Sequence, residues 1–153
     1  MDKVKQGRYD DMYMDIAKRV SQMSWDTDTK VGAIIVKDGN IISMGRNGTP
    51  AGFPNECKHP STGATLPYVI HAEANAITKL ARTGGNGSAS ILYTTLAPCM
   101  ECTKLILQSG ISEVVIEQAN DKYLESYTLL KEKGMVRLCK LSLIHISEPT
   151  RPY

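Results

Sequence analysis

His71-Ala72-Glu73 and, a loop and a strand later, Pro98-Cys99-Met100-Glu101-Cys102 bring together one imidazole, two thiols and a carboxylate to spare. Zinc prefers four tetrahedral nitrogen and sulfur ligands, and a catalytic zinc takes three from the protein and leaves the fourth position to water. His71, Cys99 and Cys102 supply that count. Glu73 stands two residues beyond the histidine, so on a helix it projects from a different face, placed to touch a zinc-held water rather than to complete the metal shell. It is the expected catalytic proton carrier. A C-x-x-C pair alone would suit a redox couple or half of a structural zinc site equally well, and a lone histidine near apolar residues is more often a core residue. The offset of Glu73 from His71, and Pro98 read as a helix-opening residue, turn the set into a catalytic metal site.

Working outward, the helix that Pro98 opens runs to Ser109 and closes at Gly110, where helices commonly end. The helix carrying His71 continues through Ala74, Ile77, Thr78 and Ala81 and stops at Gly84-Gly85-Asn86-Gly87, a glycine cluster without a P-loop lysine that reads as a turn. Ile91–Leu96 and Val114–Ile116 are β-rich runs, and a further helix with Leu124, Tyr127, Leu129 and Leu130 toward the core leads into a strand at Met135–Cys139. From Ile91 onward strand and helix alternate, which favours parallel strands with crossover helices. Upstream, Tyr9–Met23 is an amphipathic helix on Met12, Tyr13, Ile16, Ala17, Val20 and Met23. Val31–Val36 and Ile41–Met44 form a hairpin about Asp38-Gly39-Asn40. The expected fold is α/β, a three-layer α/β/α domain around a central mixed sheet of about five strands. It spans residues 1–141, with 142–153 a tail, flexible or non-native, in which His145 is a solvated residue. The segment from Asn47 to Pro67 is too long for an idle loop in a compact domain and reads as functional.

Composition narrows the function classes. The chain has 153 residues, 42% hydrophobic and 22% charged, an ordinary single-domain balance. Its net charge of +2, with both signs interspersed, lacks the basic footprint of a protein that holds long nucleic acid, so a small charged metabolite is the easier substrate. No apolar run approaches a bilayer span and Met1–Lys5 has no apolar signal core, which predicts a cytoplasmic protein without a membrane partner. Of four cysteines, two are claimed by the metal, and Cys57 and Cys139 are expected as reduced thiols.

The H-x-E and P-C-x-x-C segments resemble the signature of zinc nucleobase deaminases. With Thr29-Lys30-Val31-Gly32-Ala33, Gly45-Arg46-Asn47-Gly48-Thr49-Pro50-Ala51-Gly52, Thr95-Leu96-Ala97 and Asn120-Asp121-Lys122-Tyr123, the likeness narrows to deoxycytidylate deaminases, phage-encoded members included (host cytoplasm, in that case), over about Tyr9 to Lys140. The resemblance implies a cytidine-deaminase-like fold, one catalytic Zn2+, and conversion of dCMP and water to dUMP and ammonia. It also implies Asn47 on the sugar, the backbone around Ala72 and Ala97 on the base edge, and Lys30 and Tyr123 near the sugar-phosphate end. Read from the residues alone, Lys30 is equally a solvated strand-edge lysine, Tyr123 a packing residue at a helix start and Asn47 a turn former. The likeness further implies a homo-hexamer, activated by dCTP with Mg2+ and inhibited by dTTP. Gly48, Thr49 and Gly52 lie in the loop associated with the effector, with Arg82 at the zinc helix end a candidate for an interface or a nucleotide, or a solvated helix-end cation. Some phage relatives hold a second, structural zinc, to which Cys57 and His59 could contribute, although no complete ligand set is visible. Two other readings stay open: a deaminase of cytidine, guanine or tRNA adenosine, and a zinc-stabilised module without catalysis.

Overall fold

The computed structural model describes residues 2–139; the predicted tail and His145 lie outside them. Helix α1 spans Lys3–Ser21, six residues earlier than the apolar stripe announces. Its extra turns begin at Asp2, whose carboxylate accepts the Lys5 N–H at 2.8 Å, and they project into solvent, where no periodicity marks them. The buried face is Asp10, Tyr13, Met14, Ala17 and Ser21, while Met12 and Met23 of the predicted stripe are 44% and 53% exposed. A close approach fixes the C-terminal half of the helix: a Cβ on Gly32 would stand 2.1 Å from the Ala17 carbonyl oxygen, so the small residues Ala17 and Ser21 face β1 there.

Strands β1 (Gly32–Lys37) and β2 (Asn40–Arg46) form the predicted hairpin, closed by Asp38 and Gly39 at φ 51° and 76°. Both central residues at positive φ is the turn geometry that matches strand twist. Helix α2 (Ala72–Arg82), β3 (Ile91–Leu96), α3 (Met100–Gln108), β4 (Glu113–Gln118), α4 (Leu124–Glu132) and β5 (Val136–Leu138) follow. The five-stranded sheet runs β2-β1-β3-β4-β5. β1 is antiparallel to β2 and β3, and β3, β4 and β5 are parallel, as the alternation predicts.

Alternate residues of each strand feed opposite faces. Ile34, Val36, Tyr93 and Val115 pack under Tyr13, Met14 and Ala17 of α1. Ala33, Ile35, Leu92, Val114 and Ile116 pack under Ala72, Ala76 and Leu80 of α2, Ile106 of α3 and Leu130 of α4. The expected three layers are therefore one helix, the mixed sheet and three helices.

The structure corrects several local expectations. α2 buries Ala72, Glu73, Ala76 and Leu80, not the Ala74, Ile77, Thr78 and Ala81 stripe. Again a glycine decides, since a Cβ on Gly45 would meet the Ala72 oxygen at 2.5 Å and the small side of the helix must face β2. α3 starts at Met100 with Cys99 as its cap, so Pro98 precedes the helix instead of opening it. Leu124 is 61% exposed, because α4 enters from a 3-10 turn at Asp121–Tyr123 and dips to the sheet only at Ser126 and Leu130. β5 is shorter than Met135–Cys139.

Arg137 of β5 fastens the edge: its guanidinium donates to Asp10 of α1 and, through Nε at 2.7 Å, to Glu113 of β4, while the Tyr93 hydroxyl donates to Asp10 at 2.6 Å. No helix among the described residues is long and apolar enough to cross a membrane.

Candidate active site

β3 and β4 end, and β1 begins, at the same edge of the sheet, because Ala33 of β1 faces Thr94 of β3 in antiparallel register and Leu96 faces Gln118 in parallel register. Ligand crevices in α/β sheets open at such strand ends, where the connecting backbone is free to diverge. Two helices start there. His71 caps α2 and Cys99 caps α3, both in extended conformation, and neither side chain is used in its own cap. The imidazole and the thiol are thus left to point outward beyond the helix starts. Asn75 Nδ2 donates to the Arg46 carbonyl at 2.9 Å and Ser43 Oγ to the Ala76 carbonyl at 2.6 Å, which pins the start of α2 to β2.

His71 Nδ1 lies 3.4 Å from Cys99 Sγ and 3.4 Å from Cys102 Sγ, and the three donor atoms lie within 4.8 Å of one another. A tetrahedral zinc with bonds of about 2.0–2.3 Å sets its nitrogen and sulfur ligands roughly 3.6 Å apart, so the residues present fit the ion. Among the described residues this is the group of three metal-ligating side chains. Cys102 is 2% exposed; burial, and the Glu73 and Cys99 charges beside it, push its thiol up.

Glu73, in the first turn of α2, is 4% exposed. Burial pushes its carboxyl up to about 7, against the opposing pull of its own N–H and the Cys102 thiol. A carboxyl poised there can both take and give a proton near neutral pH. His71, Ala72, Glu73 and Cys99 line one cleft of about 260 Å³ with Asn47, Ala97 and Tyr123. Six of the residues expected from the sequence thereby share a wall with Glu73, coming from four separate stretches of chain.

Lys30 is exposed and does not line the cleft, although its neighbours Thr29 and Val31 do. Asn47 is 8% exposed; its Oδ1 accepts the Val31 N–H at 2.9 Å and its Nδ2 donates to the Thr29 carbonyl at 2.8 Å. These two bonds organise the backbone at the start of β1. The sequence reading missed Asp26, Lys58, Thr65, Val69, Leu96 and Lys122, which also line it. Lys122 adjoins the predicted Tyr123 and could have been found by that adjacency. Asp26 and Lys58 come from segments with no motif.

Gly48, Thr49 and Arg82 line a second groove, of about 400 Å³, together with Arg46 and Lys79; Gly52 is not part of its lining. Among the described residues Cys57 and His59 join no metal-ligating group: Cys57 is buried, its thiol pushed up by burial and by Asp26, and His59 Nδ1 accepts the Ser61 N–H at 3.2 Å. A larger groove of about 940 Å³ along Asp2 to Met12 carries none of the metal donors.

The family model described as the cytidine and deoxycytidylate deaminase zinc-binding region matches residues 8–118. The deoxycytidylate deaminase of Enterobacteria phage T4 is 37% identical, over 71% of this chain and 77% of its own length. That of Enterobacteria phage T2 is 34% identical, over 88% of this chain and 95% of its own. The crystal structure of dCMP deaminase from cyanophage S-TIM5 in complex with dCMP and dUMP superposes with a TM-score of 0.81 at 36% identity, covering 90% of this chain and 98% of that one.

Proposed function

Since the chain belongs to the cytidine and deoxycytidylate deaminase zinc-binding family, we propose that it converts dCMP to dUMP and ammonia, with Glu73 as the sole proton shuttle. The observation that carries this is the pairing of a three-donor metal cradle, His71, Cys99 and Cys102, with a buried carboxylic acid on the wall of the same cleft. A structural zinc would need a fourth ligand and would leave no carboxyl unclaimed.

A zinc ion held by the three residues supplies an acidified water as nucleophile at neutral pH. Glu73 moves the protons: its carboxylate accepts one from the nucleophile's side and delivers one to the ring nitrogen beside the amine-bearing carbon, making that carbon electrophilic. It then takes up the second proton of the added water and passes it to the amine, which leaves as ammonia rather than as the much poorer amide anion, and the carboxylate is returned. Burial of Glu73 keeps bulk water from short-circuiting this shuttle. The backbone at Ala72 and Ala97, both nearly inaccessible, borders the base. Asn47 is assigned to the sugar, and Tyr123 and Lys30 to the phosphate end, Lys30 reaching in from outside the lining.

Regulation belongs to the second groove. Arg46, Lys79 and Arg82 put three cations around the Gly48–Thr49 backbone, a charge pattern suited to a triphosphate such as dCTP with Mg2+ or dTTP. Assembly as a hexamer in the cytoplasm completes the proposal by likeness to the family.

The deciding experiment is ammonia release from dCMP by the zinc-loaded protein, compared with deoxycytidine, cytidine and dCTP, at subsaturating dCMP with and without dCTP and dTTP. Preference for dCMP by at least about tenfold supports the assignment. Equal rates on deoxycytidine, or a preference for another base, refute it. A rate flat against both triphosphates refutes the regulation alone.

A further inference from the structure

Asp26 is a second carboxylate in the cleft wall beside Glu73, and the proposed reaction does not use it. It is 3% exposed. Burial alone would raise its carboxyl, but the N–H groups of Thr29 and Asp28, and then Lys58, outweigh that and hold it below the usual carboxylate range. The residue therefore stands as a fixed negative charge in a cleft meant for a phosphorylated substrate. Left unbalanced, it would repel that phosphate in a partly desolvated space, where charges are weakly screened.

The two oxygens of Asp26 have separate tasks. Oδ1 accepts the N–H groups of Asp28 at 2.8 Å and Thr29 at 3.0 Å, closing the turn that leads into β1. Oδ2 faces Lys58 Nζ at 3.4 Å. Lys58 is itself a lining residue, reached from the loop between β2 and α2, and is steadied by Thr65 Oγ1 at 2.7 Å and the exposed Asp28 carboxylate at 3.4 Å. The turn is thus complete without the lysine, and what the lysine adds at Oδ2 is charge. Lys122, the other cation in the lining, lies over the Tyr123 ring at 5.8 Å from its centroid and has no bridge to Asp26.

We propose that Lys58 is a specificity-determining residue that neutralises Asp26, so that the cleft admits a nucleotide's 5′-phosphate, and that it acts through Asp26 and not as the phosphate's own ligand. This rests on the dCMP reading above. If Lys58 gripped the phosphate directly, removing Asp26 as well would not repair its loss; if it neutralises Asp26, it would.

The test compares zinc-loaded wild type, K58M, K58R, D26N and the double variant K58M/D26N, by KM and kcat for dCMP and by inhibition constants for dUMP and for uncharged deoxyuridine. K58M is expected to raise KM for dCMP and the inhibition constant of dUMP about tenfold, the change carried by KM, with deoxyuridine moved less than about twofold and the defect shrinking as salt rises. K58M/D26N is expected to return to within about twofold of wild type, and K58R, which keeps the charge, to stay there. Equal weakening of dUMP and deoxyuridine would show a collapsed wall and overturn the proposal. So would a double variant as weak as K58M, or a folded K58R that has lost dUMP. K58R and D26N keep the comparison decisive if K58M fails to fold. Failure of wild type to deaminate dCMP would strike the substrate assignment instead, a result visible before any variant is made.

Discussion

The backbone of Gly45 in β2 lies so near Ala72 of α2 that a Cβ at residue 45 would stand 2.5 Å from the Ala72 carbonyl oxygen, and the Ala76 nitrogen is equally close at 2.5 Å. This contact sets how far the first turn of α2, and with it His71, stands from the sheet. Backbone atoms on both sides leave nothing flexible to yield. G45A is expected to destabilise the fold by about 1–3 kcal/mol, as overpacking does, and to weaken zinc retention by displacing His71 from two thiols held on a different helix. Thermal unfolding with metal analysis of the dialysed protein checks it; wild-type values for both would reject the account.

The three residues proposed to hold the metal come from two helices, His71 from the start of α2 and the cysteines from the start of α3. An ion bridging them ties the two together, so its binding adds directly to stability. Chelation should lower the unfolding temperature of wild type by several degrees or more, since about 1 kcal/mol shifts a domain of this size by roughly 2–4 °C. C102A should show a low unfolding temperature that chelator no longer changes. An unchanged melt of wild type in chelator would contradict the metal's structural share.

Glu73 has no ligand role in this arrangement, which separates binding from chemistry. E73Q keeps the shape and removes the titrating proton, so it should retain one zinc per chain while turnover of dCMP falls by at least about 10²–10⁴, the usual worth of a general acid and base. Zinc content and single-turnover rates measured on the same sample distinguish this from a folding defect. Activity near wild type would remove Glu73 from the mechanism.

Asp26 makes stability depend on acid. Its carboxyl titrates lower in the folded protein than its ordinary value of 3.8, so as pH falls the unfolded chain takes up the proton first and is favoured. The stabilisation is fully present above that ordinary value and disappears as pH falls through the lower folded one. Urea unfolding of wild type and D26N between about pH 6 and pH 2.5 should give curves that converge at the acid end, with the wild-type advantage confined to higher pH. A constant difference across the range would mean that Asp26 acts through packing and not through its charge.

Much of the molecule was legible in the chain because it rests on local rules. The alternation of β-rich and helical runs after Ile91 predicts parallel strands and crossover helices, and Asp38-Gly39 at positive φ closes the hairpin. The cluster of His71, Cys99 and Cys102 was legible because a histidine and two thiols at these spacings, taken together, have few other uses. Helix faces were not. In α1 and α2 the buried side is chosen by close approach at Gly32 and Gly45, whereas an apolar count adds Met12 and Met23 to the face that Tyr13 and Ala17 do bury in α1, and picks Ile77 over Ala76 in α2.

By itself, then, the sequence determined the fold class and singled out His71, Cys99, Cys102 and Glu73 as one candidate constellation, since each depends on residue type and short spacing. The tertiary structure alone decided which residues share the cleft. It set Lys30 outside and Lys122 inside, turned both polar ends of the Asn47 amide onto the Thr29–Val31 backbone, and brought Lys58 across from a motif-free loop to Asp26. Those placements depend on where antiparallel β1 ends beside parallel β3 and β4, a long-range register that no local stretch of residues encodes.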